Sequence, residues 1–167
     1  RESPEFTLNR INDSGQWQLS LPEDALKHGQ LYKLRMYWNG GEGERIPAYA
    51  RRVVQDEKTK VFSAQVWRPP TAYKWQNPSY ARPKGTAPII YEAHIGMAQE
   101  KEGIGTYAEF REKVLPRIVD AGYNTIQLMA VMEHPYYGSF GYHVSSFFAA
   151  SSRFGTPEEL KELVDAA

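Results

Sequence analysis

The chain has 167 residues, room for one ordinary domain or two small ones, and its 20 basic and 20 acidic side chains cancel. That neutrality leaves no electrostatic footprint for nucleic acid, an anionic membrane or a polyanionic substrate. With no cysteine, disulfides and thiolate chemistry are excluded, and no apolar run approaches the roughly 20 residues of a membrane span.

The first residue is Arg1, with neither Met nor a signal-like segment, so the expectation is that this is not the native start. Residues 1 to 68 read as β structure. Phe6 to Ile11 and Trp17 to Leu21 are expected strands around the turn Asn12-Asp13-Ser14-Gly15. In residues 31 to 38, Tyr32, Leu34, Met36 and Trp38 alternate with Lys33, Arg35 and Tyr37. A period of two predicts one strand with a covered face and a wetter one. Asn39 to Gly43 reads as a turn, and Val61 to Trp67 as a further strand. Five short strands with glycine-rich turns predict part of a small β-sandwich. Trp17, Trp38 and Trp67 are expected to be core anchors, with sugar-stacking platforms as the alternative.

Residues 69 to 88 carry Pro69, Pro70, Pro78, Pro83 and Pro88. Proline blocks ladder bonds and helix continuation, so this is an extended connector, pinned by Tyr73, Trp75 and Tyr80, and a domain boundary. Ile89 to Ile95 reads as a buried strand, in which Glu92 and His94 are expected to form a structural hydrogen-bonded pair on one face. Thr106-Tyr107-Ala108-Glu109 is a capping box, followed by Phe110, Val114 and Ile118 at helical spacing. Pro116 predicts a kink or a break and restart, and Gly122 a C-terminal cap. Thr125 to Val131 is the next strand. Thr156-Pro157-Glu158-Glu159 opens a second helix, with Leu160, Leu163 and Val164 as its inward stripe.

Between the last strand and the last helix lies a loop with Glu133, His134, Tyr136, Tyr137, Phe140, Tyr142 and His143 within eleven positions. In parallel α/β folds the loops after the strands build the site, so this loop is read as a ligand surface. A closed barrel of that kind needs eight strand-helix units and about 250 residues. Two units are visible, which predicts a segment of a longer enzyme.

The stretch YEAHIGM and the stretch from VLPRIVDAGYNTIQLM through EHPYYGSFGYHVSSFFAASSRFGTPEELKELVDAA resemble glycogen branching enzyme (1,4-α-glucan branching enzyme), in the α-amylase clan of glycoside hydrolases. QWQLSLP, HGQLYKLRMYW and ERIPAYARRVVQ resemble the later strands of that family's amino-terminal carbohydrate-binding module. The resemblance implies part of an immunoglobulin-like β-sandwich over residues 1–68, a connector over 69–88, and the first two βα units of a TIM (β/α)8 barrel over 89–167. It implies a cytoplasmic enzyme without a cofactor, acting on α-1,4-glucan (glycogen, amylose or malto-oligosaccharides). Its carboxylate nucleophile, its acid/base and its third carboxylate follow later barrel strands, so no catalytic residue is expected in this chain. Glu92 and Glu133 match no catalytic motif of the family.

Tyr142 matches the Tyr of the family's Gly-Tyr motif, which stacks on a glucose ring at the cleavage subsite. His143 stands where Gln is usual. His134 and Tyr136 are expected to shape the pocket floor. For His134 and His143, a backbone-bonded loop histidine and a substrate contact both stay open. Neither has metal-ligand spacing to another His or Cys. Trp38 and Trp67 remain candidates for sugar stacking.

Overall fold

The computed structural model describes residues 3–129 and 131–167. Strands β1 (Asn9–Arg10) and β2 (Trp17–Gln18) form a short antiparallel hairpin. Its turn is closed by Asn12, whose Oδ1 accepts from the amides of Ser14 and Gln16. Both strands are shorter than the sequence suggests, and Phe6 lies in a 3-10 turn, Pro4–Phe6. Pro4 presets the turn's backbone and lacks the N–H that a ladder would need.

The expected single strand over 31–38 is two strands serving two sheets. β3 (Leu31–Tyr32) and β4 (Leu34–Trp38) are separated at Lys33. β4 forms a hairpin with β5 (Gly41–Arg45), and Trp38 pairs with Gly41. The turn is therefore only Asn39-Gly40, with Gly40 at φ +84, and Gly41 to Gly43 are strand. Asn-Gly is the preferred pair for a two-residue hairpin turn. Residues Met36 and Trp38 are both 47% exposed, so the expected covered face of this strand is open. The partner sequence GEGER offers no apolar side chain to cover it. Instead Trp38 lies on bare glycine backbone: a Cβ on Gly41 would come 3.0 Å from its Nε1. The Arg45 guanidinium sits 4.9 Å from the Trp38 ring centroid. Trp17, at 59% exposure, is likewise no core anchor. The two-residue pairing of its strand brings nothing over it.

β6 (Val53–Gln55) and β7 (Phe62–Gln65) complete a three-stranded antiparallel sheet in the order β3-β7-β6. Its core is small: Ala50, Val53 and Ala64, with Ala149 from the far end of the chain. Residues 69–88 hold no helix or strand. They are tied down by Asp165, which accepts from the Tyr73 hydroxyl at 2.9 Å and from the amides of Gln76 and Asn77 at 2.8 and 3.1 Å. Tyr73 and Trp75 meet edge to face. Tyr80 is exposed and pins nothing.

β8 (Ile90–His94) and β9 (Thr125–Met129) pair in parallel, Ile90 opposite Thr125. The connection starts at the expected capping box on Thr106 and runs through α1 (Tyr107–Glu109), a π turn (Phe110–Val114) and α2 (Leu115–Asp120). The π turn is how the helix absorbs Pro116. The Leu115 N–H reaches five residues back to the Phe110 carbonyl, which widens the turn where the proline ring would clash. Gly122 caps the end at φ +85. Ala130, in the expected continuation of β9, lies outside the described residues.

Three expectations for this part fail. β8 is buried only at Ala93 and His94, and Glu92 does not pair with His94. Register places Gln127 beside Glu92, and its Nε2 donates to the Glu92 carboxylate at 2.8 Å. The i+2 residue on the same strand is roughly 6.6 Å further along. His94 instead accepts the Gly96 N–H on Nδ1 at 3.1 Å. On α3 (Pro157–Ala166), Leu163 is buried but Val164 is exposed. One residue is a 100° step around a helix, and the core contact is narrower than the expected stripe. The core joins Ala93, Ile95, Tyr107, Phe110, Val114, Leu115, Ile118, Phe154 and Leu163.

Candidate functional site: an aromatic loop

The segment between β9 and α3 is not an irregular loop. It contains β10 (Met132–Glu133) and β11 (Ser146–Ala150), paired antiparallel with a register shift between Met132 and Glu133. This hairpin holds up a tip, residues 134 to 145, that bonds largely to itself. The Tyr136 carbonyl accepts the Ser139 N–H at 3.1 Å and its hydroxyl at 2.7 Å, and the Ser139 carbonyl accepts the Tyr142 N–H at 3.0 Å. Phe140 (φ 51) and Gly141 (φ +83) are left-handed in succession. For Phe140 that backbone is strained, and such strain recurs at ligand-handling loops.

The four predicted substrate residues separate into two levels. Tyr142 (77% exposed), Tyr136 (63% exposed) and the exposed His143 stand at the surface. Tyr136 lies over Gly138, where a Cβ would come within 2.5 Å of its ring. His134 is fully buried beneath them, its Nδ1–H placed to donate to the Met132 carbonyl at 2.9 Å. Its Nε2 and that of buried His94 have no hydrogen-bond partner among the described residues. Both rings meet Phe154, His94 at 5.6 Å and His134 at 6.1 Å between centroids. Burial, and then the neighbouring His134, hold the His94 pKa below its ordinary value, so it is neutral at pH 7.

Trp38 and Trp67 are not part of this loop. Trp38 sits on the β4–β5 hairpin. Trp67, two residues beyond β7, reaches α3: its indole N–H donates to Glu158 at 2.8 Å, and the Arg52 guanidinium sits 5.0 Å from its ring centroid.

Chemically, the loop offers exposed aromatic faces and no proton-transfer pair. Glu133 is completely buried, with Oε2 accepting from the Ser152 N–H at 2.7 Å. Glu92 is engaged with Gln127. Among the described residues no group of three His, Asp or Glu could hold a metal ion, and no helix is long and apolar enough to cross a membrane. An aromatic ring presents a flat face to the C–H face of a sugar, and a tyrosine keeps a polar contact at its tip. Sequence reasoning missed Arg52 and the structural work of Glu133. The second of two adjacent arginines, Arg51-Arg52, before a short apolar pair gives no periodic signal of burial.

No protein-family model matches the chain. Comparison with curated proteins is more informative. The 1,4-alpha-glucan-branching enzyme of Dictyostelium discoideum is 48% identical over 159 residues, covering 92% of this chain and 23% of that protein. The enzyme of the same name from Aspergillus oryzae is 49% identical over 165 residues, covering 93% of this chain and 24% of that protein. Among solved structures, a putative alpha amylase from Salmonella typhimurium superposes with a TM-score of 0.75 at 23% identity, over 96% of this chain and 25% of that one. The fold is thus that of a stretch of an α-amylase-type enzyme. Over nearly all of its length the chain is homologous to the 1,4-alpha-glucan-branching enzymes, and it spans about a quarter of the curated relatives it matches.

Proposed function

We propose that the whole protein to which this chain contributes is a 1,4-α-glucan branching enzyme. It transfers a segment of an α-1,4-glucan to the 6-hydroxyl of another chain and so creates α-1,6 branches. The observation that carries this reading is the 48–49% identity over more than nine-tenths of the chain, aromatic loop included. In a retaining reaction one carboxylate attacks the anomeric carbon while a second carboxyl, about 5–5.5 Å away, protonates the departing oxygen. Neither role falls to Glu92 or Glu133, and the reading puts both in the remainder of the parent protein. This chain's contribution is to seat the glucan. Tyr142 stacks on a glucose ring, Tyr136 and His143 flank it, and His134 props the loop from below.

The reading assigns residues 1–68 to an immunoglobulin-like carbohydrate-binding sandwich and 89–167 to the first two βα units of a (β/α)8 barrel, with 69–88 between them. The parallel β8–β9 pair with its helical crossover supports the second assignment. Trp38, half exposed, is the better candidate for a second sugar platform, because the indole N–H of Trp67 is already used. No cofactor, nucleic acid or membrane enters the scheme, and the location is cytoplasmic.

Iodine staining and debranching of amylose test it. The whole protein should lower the iodine absorbance, release no sugar and create isoamylase-sensitive linkages, while the 167-residue chain alone does none of these. Released sugar would instead indicate an isoamylase-type or trehalose-forming hydrolase. Activity in the isolated chain would return Glu92 and Glu133 to consideration. Glucan binding by the chain without turnover would leave it as a binding element.

A further inference from the structure

The aromatic loop is clasped at its base by one residue. The Glu133 side chain accepts the Ser152 N–H, and its main-chain carbonyl accepts the Ser145 N–H at 2.9 Å and hydroxyl at 3.2 Å. Tyr136 and Tyr142 are displayed between those grips. Yet the carboxylate is completely buried, and its Oε1 has no hydrogen-bond partner among the described residues. A carboxylate so placed is strongly disfavoured unless a cation faces it.

No ion pair within 4.0 Å meets it among the described residues; the buried cation that couples to it over a longer gap comes from the β-rich first part of the chain. Arg52, 8% exposed, precedes β6. Its Nη1 donates to the Gly155 carbonyl at 2.6 Å, three residues beyond Ser152, and its Nε is a second buried polar atom without a partner. Burial pulls its pKa down; Glu133 is the strongest of the charges holding it up, ahead of Tyr107, Glu159 and Glu158. An arginine remains protonated under such opposition. Packing joins the same two parts, since Ala149 of β11 lies in one core with Ala50 and Val53 on either side of Arg52.

We propose that Arg52 is a positioning residue for the aromatic loop, neutralising the buried Glu133 clasp and so fixing where Tyr142 and Tyr136 stand. The first part of the chain thereby governs the geometry of a sugar-binding loop that it does not itself carry. The consequence for glucan rests on the branching reading; the coupling of Arg52 to the loop does not.

The test uses the whole protein with R52M, E133Q and R52M/E133Q. R52M keeps an apolar stem but strands the carboxylate. It should raise KM for glucan roughly tenfold with a smaller change in kcat, and speed amide exchange across residues 134–145. Adding E133Q removes the stranded charge and should bring both quantities back to within about threefold of E133Q alone. If Arg52 serves only to pack on Trp67, the double variant will be no better than R52M, and the proposal is overturned. Wild-type KM and exchange in R52M would overturn it as well. Should R52M fail to fold, recovery of the fold in the double variant supports the coupling and continued failure refutes it. If the wild-type protein makes no branches, the branching reading falls, and the exchange measurement decides the coupling by itself.

Discussion

Replacing Gly155 with alanine strains the backbone just before the Thr156 cap of α3. Gly155 has φ +137, a backbone open in practice only to glycine, and an alanine there carries about 1–3 kcal/mol of strain. Its Cβ would also land on the Glu159 carboxylate, 3.1 Å from Cδ, and 3.2 Å from Cδ2 of Tyr107. That carboxylate accepts from the Thr156 N–H at 2.6 Å and its hydroxyl at 3.0 Å, and the Thr156 hydroxyl accepts the Glu159 N–H at 3.2 Å. Displacing it breaks the capping box, worth about 1 kcal/mol. The combined cost is about 2–4 kcal/mol, roughly a thirtyfold to several-hundredfold rise in local opening. Amide exchange on the whole protein reads this directly in the first turns of α3, from Leu160 to Leu163. If those amides exchange within twofold of wild type, the capping box does not hold this helix start and the reasoning is wrong.

Tyr142→Ala should weaken binding of maltoheptaose to the whole protein roughly two- to tenfold by calorimetry, the worth of one aromatic face. Its unfolding midpoint should not move, because the ring is exposed. Phe154→Ala removes the fully buried ring that Tyr107, His94 and His134 share, and should lower stability by about 3–5 kcal/mol in denaturant titration. The pKa of Asp165 is held below its ordinary 3.8, first by the Gln76 amide and also by Tyr73 and Asn77. Its contribution is therefore complete above about pH 4 and lost as pH falls through the lowered value. D165N should loosen residues 73–77 already at pH 7, seen as faster tryptic cleavage at Lys74; cleavage at the wild-type rate would contradict the tether. Glu109, lowered to about 2 first by its bond to Lys101, gives its support to the α1 capping box the same direction. Exchange of the α1 amides, taken relative to the intrinsic rate at each pH, should rise between about pH 4.5 and 2, and a flat profile of that ratio would count against it.

The elements legible in the sequence were those whose signal is local. Both capping boxes, the Gly122 cap and the disturbance at Pro116 stand where residue chemistry puts them, since a helix end is satisfied within four residues. The proline-rich connector holds no ladder for the same kind of reason. What could not be read locally was partnership. Lys33 parts one apolar alternation into two strands because their partners, β7 and β5, lie in different sheets. Trp38 is left open because the strand opposite it is glycine and charge. Glu92 takes Gln127 rather than His94 because parallel register puts them side by side. The loop's tyrosines and histidines were nameable from composition and from family likeness. The depth of each was not, because Glu133 and His134 go under only once β10 and β11 pair. Arg52 is the extreme case, 81 positions from Glu133 and one of two adjacent arginines, with nothing in the sequence to say which of the two goes under.

The π turn at Phe110 to Val114 makes this helix a counting device. The wider i→i+5 turn lets Phe110 and Leu115 face the same core, where a regular helix would set them about 140° apart. Length is therefore constrained here even where residue identity is not. A conservative exchange along 111–113 changes a surface, whereas removal of any one of those residues closes the widened turn: Leu115 would stay within about 40° of Phe110, but the Pro116 ring would then meet the carbonyl of a regular preceding turn. Related chains should accordingly vary in composition across this stretch and hold its length fixed whenever the proline is kept.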